Sequence, residues 1–317
     1  MKSGGNLERV FAQGHFAVTA ELGPPKGNDV GVIQRKVDFL RGYVDAVNVT
    51  DNQTAIVRMS SIATSVLLIQ MGLEPVMQMT TRDRNRIALQ SDLFGATALG
   101  IKNMLCLTGD HHTFGNQVDS KNVHDLDSVQ LIHCVRTMRD EGTLLGGEEK
   151  VEGEVKLFIG AVENSFGDPF EFRVIRFGKK AAAGVDFIQT QCIYDMNRFK
   201  EWMKMVRDRG LHERVYILAG VCPLNLERIT RCKNRDLPGV TIPEGLMDRI
   251  TEAKDTEAEG IKICIEQIAE LKELKGVHGI HIMGTDGEEK IGQITKETGL
   301  LPRPRVESFS TARIKEK

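Results

Sequence analysis

What most constrains this chain is an alternation running from residue 16 to residue 298. Strand-like runs rich in β-branched residues take turns with stretches whose apolar positions recur three and four apart. FAVTAEL (16–22) precedes a helix with Ile33, Val37 and Leu40 on one stripe, and VDAVNVT (44–50) precedes a helix over 55–71. EPVMQM (74–79), a helix over 83–99 and KNMLCLTG (102–109) bring the count to four strands. The polar stretch TGDHHTFGNQVDSKNVHD then leads into a helix carrying Val129, Ile132, Val135 and Met138, and EGTLLGGEEKVEGE reads as a surface loop. VKLFIGAV (155–162), VDFIQTQ (185–191) and VYILAGV (215–221) follow, each with a helix behind it, over 169–183, 195–209 and 225–233. PGVTIPEGL interrupts the pattern before a long helix with Ile261, Cys264, Ile265, Ile268 and Leu271, the strand GVHGIHIMG (276–284) and a last helix over 287–298.

Strands apolar on both faces, each followed by a helix, belong in a parallel sheet covered on both sides; eight of them close into a (β/α)8 TIM barrel. At 317 residues the chain fits one such domain over residues 1–300, with no linker to divide it and a Pro- and charge-rich tail over 301–317. The 42 Lys and Arg nearly balance 44 Asp and Glu, which argues against nucleic acid or an anionic membrane as a partner. No apolar run approaches the roughly 18 residues of a membrane span, and MKSGGNLERVF lacks a signal-peptide core, so a cytoplasmic protein is expected. The six cysteines show no CxxC spacing and read as buried, reduced thiols.

A barrel gathers its chemistry where the strands end at their C-termini. There the sequence supplies Glu21, Thr50, Asp51, Gln78, Asp110, Glu163, Asn164, Gln189, Gln191 and Asn225. VTAELGPPKG ends a buried strand on Glu21 and stiffens the turn behind it; such a carboxylate is an acid–base candidate, or else a cap or ion-pair partner. His111 and His112 are adjacent and point different ways, so no metal site is expected. There is no GxGxxG after the first strand and no GxxxxGK[ST] loop. Two carboxylates among amide side chains suit a heterocycle rich in donors and acceptors, such as a pterin or flavin.

VTAELGPPKG, VNVT, TTRDRNRIAL, LTGDH, AGVDFIQTQCIYD, LAGVCPL and VTIP, in this order over residues 16–298, resemble the methylenetetrahydrofolate reductase family of flavin-bearing barrels. The resemblance implies reduction of 5,10-methylenetetrahydrofolate to 5-methyltetrahydrofolate, or the reverse, with Glu21 as general acid. It places Asp110 beside flavin and pterin, Gln191 on the pterin, and Thr50, Gln78, Lys179 and Lys180 on the flavin side, Lys180 neutralising a phosphate. FAD is implied rather than FMN, in an oligomer, with electrons from NAD(P)H or from a partner subunit carrying zinc or Fe–S clusters. The chain departs from well-known members at Gln78 (histidine there), Thr108 (arginine), Ala161 and Val162 (Tyr-Pro), and Leu226 (an aromatic residue). A flavin-free pterin-binding methyltransferase module, presenting methyltetrahydrofolate to a corrinoid protein, is the alternative.

Overall fold

A computed structural model describes residues 1–234, 239–284 and 287–306. Its strands are β1 (Ala17–Leu22), β2 (Ala46–Val49), β3 (Pro75–Thr80), β4 (Asn103–Leu107), β5 (Phe158–Glu163), β6 (Phe187–Cys192), β7 (Tyr216–Val221) and β8 (Gly279–Ile282). They pair in parallel in sequence order, and β8 closes onto β1, giving the expected (β/α)8 barrel in one domain. The helices are α1 (Asn6–Ala12), α2 (Val30–Leu40), α3 (Ser61–Gln70), α4 (Arg86–Ala98), α5 (Ser128–Arg136), α6 (Phe170–Ala183), α7 (Met196–Asp208), α8 (Leu226–Lys233), α9 (Glu244–Glu252), α10 (Thr256–Glu273) and α11 (Glu288–Glu297). Among the described residues, no helix is long and apolar enough to cross a membrane.

Two-residue periodicity separates the two faces of each strand. Outward positions such as Val18, Val47, Met77, Ile159, Ile188 and Ile217 join the helix stripes in one large core, to which α2 contributes Ile33, Val37 and Leu40. Inward positions at the strand starts form a second core with Leu7, Val10 and Phe11 of α1, a helix that the periodicity left unread. Phe11 stacks on Tyr216 at 4.5 Å, and Phe158 on Phe187 at 5.2 Å, so aromatic rings close the barrel floor. Gly160 is required there, since a Cβ would lie 2.3 Å from the Phe187 ring. Glu74 caps α1 from outside, accepting the Asn6 and Leu7 N–H groups at 2.6 and 2.9 Å.

The Pro- and charge-rich tail packs against the barrel at its start. Arg303 pairs with the buried Asp45 and donates to the Phe16 carbonyl at 2.8 Å, while Val306 is buried against the floor. A guanidinium and one apolar side chain strap 301–306 under the barrel; 307–317 lie outside the described residues.

Candidate active site

Along β1 the inward side chains run Ala17, Thr19, Glu21, from the apolar floor through a hydroxyl to a carboxyl at the mouth. The middle layer is polar and partly paired within itself, leaving Asn48 Oδ1 and His281 Nε2 buried without a partner. Thr19 Oγ1 lies 2.9 Å from His281 Nδ1, and Asn48 Nδ2 donates to Gln189 Oε1 at 2.7 Å. Burial pushes His281 down to about 3, so the imidazole is neutral and this layer carries no charge. Glu21 is 9% exposed, and burial raises its carboxyl above the usual range against a 3.4 Å hydrogen bond from Gln53 and the positive charge of Arg228. Burial that favours the neutral form suits a carboxyl to proton donation.

The loops after β2, β3 and β4 build a wall beside it. Asp51 accepts the Thr80 N–H and hydroxyl at 2.9 and 3.0 Å and Arg84 Nη1 at 2.7 Å, fastening the end of β2 to that of β3. Beyond it Asn52, Thr54 and Ala55 hold left-handed φ values of 45°, 58° and 56°, each costing on the order of 1–3 kcal/mol for a non-glycine residue. The carboxylate of Asp110 accepts the Thr54 N–H at 3.0 Å. Arg82 is buried and donates to the Asp110 and Asn52 carbonyls at 3.0 and 3.3 Å while pairing with Asp83. Gly109, at φ +90°, turns the chain so that Asp110 returns toward the β2 loop. Glu21, Thr50, Gln53, Gln78, Arg82 and Asp110 thus surround an open recess of about 230 Å³.

Five strand-end residues expected from the sequence, Glu21, Thr50, Asp51, Gln78 and Asp110, meet in this recess. Gln191 is half-buried at the end of β6 and does not line it. Lys180 is a correction: its ammonium is buried between β5 and α6, 2.8 Å from Glu163 and bonded to the Val162 carbonyl, so its charge is already neutralised and unavailable to a phosphate. Lys179, one residue earlier, points out over Phe172. Glu163 leaves the set of mouth residues for the same reason, because its parity on β5 is that of the outward Ile159 and Ala161. Asn164 closes its own turn, accepting the Phe166 and Gly167 N–H groups at 3.2 and 3.0 Å, and Asn225 caps α8. The reading of the sequence missed Arg82 and Gln53; the only signal for Arg82 was its place in TTRDR, directly behind β3.

A closed ring of eight parallel strands, with a buried acid at the end of the first and a polar recess over the ends of the first four, defines a (β/α)8-barrel protein that keeps its chemistry at the C-terminal mouth. The chain belongs to the methylenetetrahydrofolate reductase family, whose sequence model matches residues 6–299. It is 26% identical over 239 residues to methylenetetrahydrofolate reductase 2 of Schizosaccharomyces pombe, covering 72% of this chain and 36% of that protein. It is 24% identical over 250 residues to a probable NADPH methylenetetrahydrofolate reductase of Caenorhabditis elegans, covering 76% and 34%. The chain therefore spans about a third of the length of these relatives. Among solved structures, an uncharacterised Clostridium thermocellum protein that binds two copies of 5-methyl-5,6,7,8-tetrahydrofolic acid shares the fold, with a TM-score of 0.62 at 13% identity over 93% of this chain and 98% of that one.

Proposed function

We propose that this chain is a flavin-dependent methylenetetrahydrofolate reductase, interconverting 5,10-methylenetetrahydrofolate and 5-methyltetrahydrofolate. The observation that carries the reading is Glu21, a carboxyl raised by burial at the rim of a polar recess lined by amides, hydroxyls, the carboxylates of Asp51 and Asp110 and the guanidinium of Arg82. In the reductive direction Glu21 donates its proton to the ring nitrogen of the imidazolidine, opening it to the iminium that accepts hydride. Asp110 binds the donor edge of the pterin, and its negative charge supports the cation formed on ring opening. Gln191 supplies an amide to the pterin from the β6 side. The recess fits a flavin ring: Thr50 Oγ1 is buried without a partner, and with Gln78 it lines the same wall as Asp110. Thr50, Gln78 and Asp110 would hold that ring, and the flavin, as FAD, supplies the hydride when bound. Lys180 takes no part in this, so the phosphates are met elsewhere.

Electrons reach the site from NAD(P)H or from a partner subunit bearing zinc or Fe–S clusters. The second source is favoured by Phe114, Val118 and Val57, exposed on the two loops that wall the recess, and by Leu226, a non-aromatic residue exposed at the start of α8. A flavin-free module that holds methyltetrahydrofolate is the second reading, supported by the binding named for the Clostridium protein. Anaerobic titration of the purified protein with NADH, read at the oxidised-flavin band, separates them. Bleaching supports a reductase fed by pyridine nucleotide. A band that ignores NADH and bleaches with 5-methyltetrahydrofolate points to the partner-fed enzyme, and no flavin band overturns the proposal in favour of the flavin-free module.

A further inference from the structure

The loop between β2 and α3 is strained and yet braced on several sides. Asn52, Thr54 and Ala55 hold left-handed φ values although none is glycine, and Thr54 is β-branched, a residue class for which such a φ is a genuine outlier. Backbone of this kind persists only where its surroundings over-determine it. Here the Asn52 side chain accepts the Arg58 N–H at 3.0 Å, and the Asn52 carbonyl accepts Arg82 at 3.3 Å. Asp110 accepts the Thr54 N–H at 3.0 Å, and Asn116, on the loop after β4, accepts the Val57 N–H at 3.1 Å. Arg58 donates to the Pro24 carbonyl at 2.8 Å and the Met59 N–H to the Pro25 carbonyl at 2.9 Å, which fastens the segment to the turn directly behind Glu21. Gly115 passes so near that a Cβ there would lie 1.9 Å from the Ala55 carbonyl oxygen. What this bracing presents to the recess is Gln53, whose Nε2 donates to Glu21 Oε1 at 3.4 Å.

We propose that Gln53 is a positioning residue for proton transfer by Glu21: its amide holds Oε1, leaves the acid proton to Oε2, and stabilises the carboxylate that remains once the proton has gone. The inference rests on the folate reading above, in which Glu21 is the acid. An amide N–H can only donate, and a hydrogen bond to an ionised acceptor is roughly twice as strong as one to a neutral acceptor. The contact is therefore long while Glu21 is neutral and gains strength as the proton passes from Oε2 to the substrate nitrogen, so it favours the transition state over the ground state. Among the described residues, Gln53 is the one side chain that hydrogen-bonds the Glu21 carboxyl. The charged groups around Glu21 act at longer range. Arg228 of α8 favours its anion, and Lys36 of α2 and Glu288 of α11 are paired with each other. Asp51 and Asp110 share the recess wall, the thiols of Cys192 and Cys222 stand at the ends of β6 and β7, and the neutral His281 of β8 lies one layer toward the floor. Because Asp110 clamps Thr54, the residue next to Gln53, the carboxylate assigned to the pterin also sets where the Gln53 amide stands.

The deciding measurement is an NMR titration of the whole protein without flavin or folate, grown on δ-13C-labelled glutamate, with the Glu21 carboxyl resonance assigned by its loss in Glu21→Gln. Gln53→Leu removes the donor at similar size, and the Glu21 titration should move to higher pH because the anion loses its partner. Gly115→Ala keeps every side chain of the recess and forces the Ala55 carbonyl aside, so it should move the titration in the same direction. In folate turnover, Gln53→Leu should lower the plateau of kcat roughly three- to tenfold, the value of one hydrogen bond, with KM little changed and the alkaline limb of the kcat profile displaced upward in step with the titration. An unmoved Glu21 titration in Gln53→Leu overturns the proposal, as does a loss of kcat without a displaced limb. A fully active Glu21→Gln overturns the folate reading, and with it the use of the proton; the titration without ligands still tells that failure from failure of the Gln53 contact.

Discussion

The floor and the mouth of this barrel are built from the same eight strands and differ in almost everything else. At the floor, the inward positions are Ala17, Ala46, Val76, Phe158, Phe187 and Leu218, sealed by Phe11 of α1. At the mouth, two to four residues further on, they are Glu21, Thr50 and Gln78, and the adjoining backbone is held in left-handed conformations at Asn52, Thr54 and Ala55. The floor closes its surface in apolar contacts and rings; the mouth keeps Thr50 Oγ1 unpartnered and a carboxyl whose neutral form is favoured by burial. Stability is concentrated at one end of each strand and reactivity at the other, because a site must retain groups that a core would pair or exclude.

The largest expected effect tests the mouth. Glu21→Gln should lower folate turnover by roughly 10²–10⁴-fold, the range for loss of a general acid, while flavin absorbance holds and the fold is retained. Steady-state kinetics on the folate reaction decide this, and near-normal turnover would remove Glu21 as the acid. Lys180→Ala should cost about 3–5 kcal/mol in urea unfolding, because it strands the Glu163 carboxylate in the core, yet leave the flavin affinity of the folded protein unchanged. Weakened flavin binding at intact stability would instead return Lys180 to the phosphate site. Phe11→Ala should cost a similar 3–5 kcal/mol by opening the floor, with kcat per folded molecule preserved; a selective loss of kcat would show that floor and mouth are coupled. Asp110→Asn keeps an acceptor for the Thr54 N–H and loses the charge, so folate affinity should fall roughly tenfold, the equivalent of about 1.4 kcal/mol, as read by calorimetric titration.

The smallest effect is a pH dependence. Burial raises the Glu21 carboxyl in the folded chain, so the folded state still binds that proton after the unfolded state has released it. Its stability contribution is complete below the ordinary glutamate value of about 4.3 and is lost as pH climbs through the raised folded value. Glu21→Gln should therefore match the parent in thermal melts near pH 4 and exceed it progressively toward pH 8. A constant difference across that range would mean that Glu21 is ionised in the folded protein.

The sequence by itself determined the barrel, its eight strands and the placement of Glu21, Thr50, Gln78 and Asp110 at the strand ends, because strand and helix periods are local and a closed parallel ring orients every strand end toward one mouth. Local pattern could not show that α1 plugs the floor, since Leu7, Val10 and Phe11 make one short stripe that joins a cluster drawn from seven different strands. Nor could it choose between the two sides of β5 for Lys180, whose charge is claimed by Glu163 across the β5–α6 interface. Arg82 bridges two loops that are distant in the chain. Those assignments were decided by tertiary structure alone, because a side chain takes its role from whichever groups the closed barrel brings within a few ångströms of it.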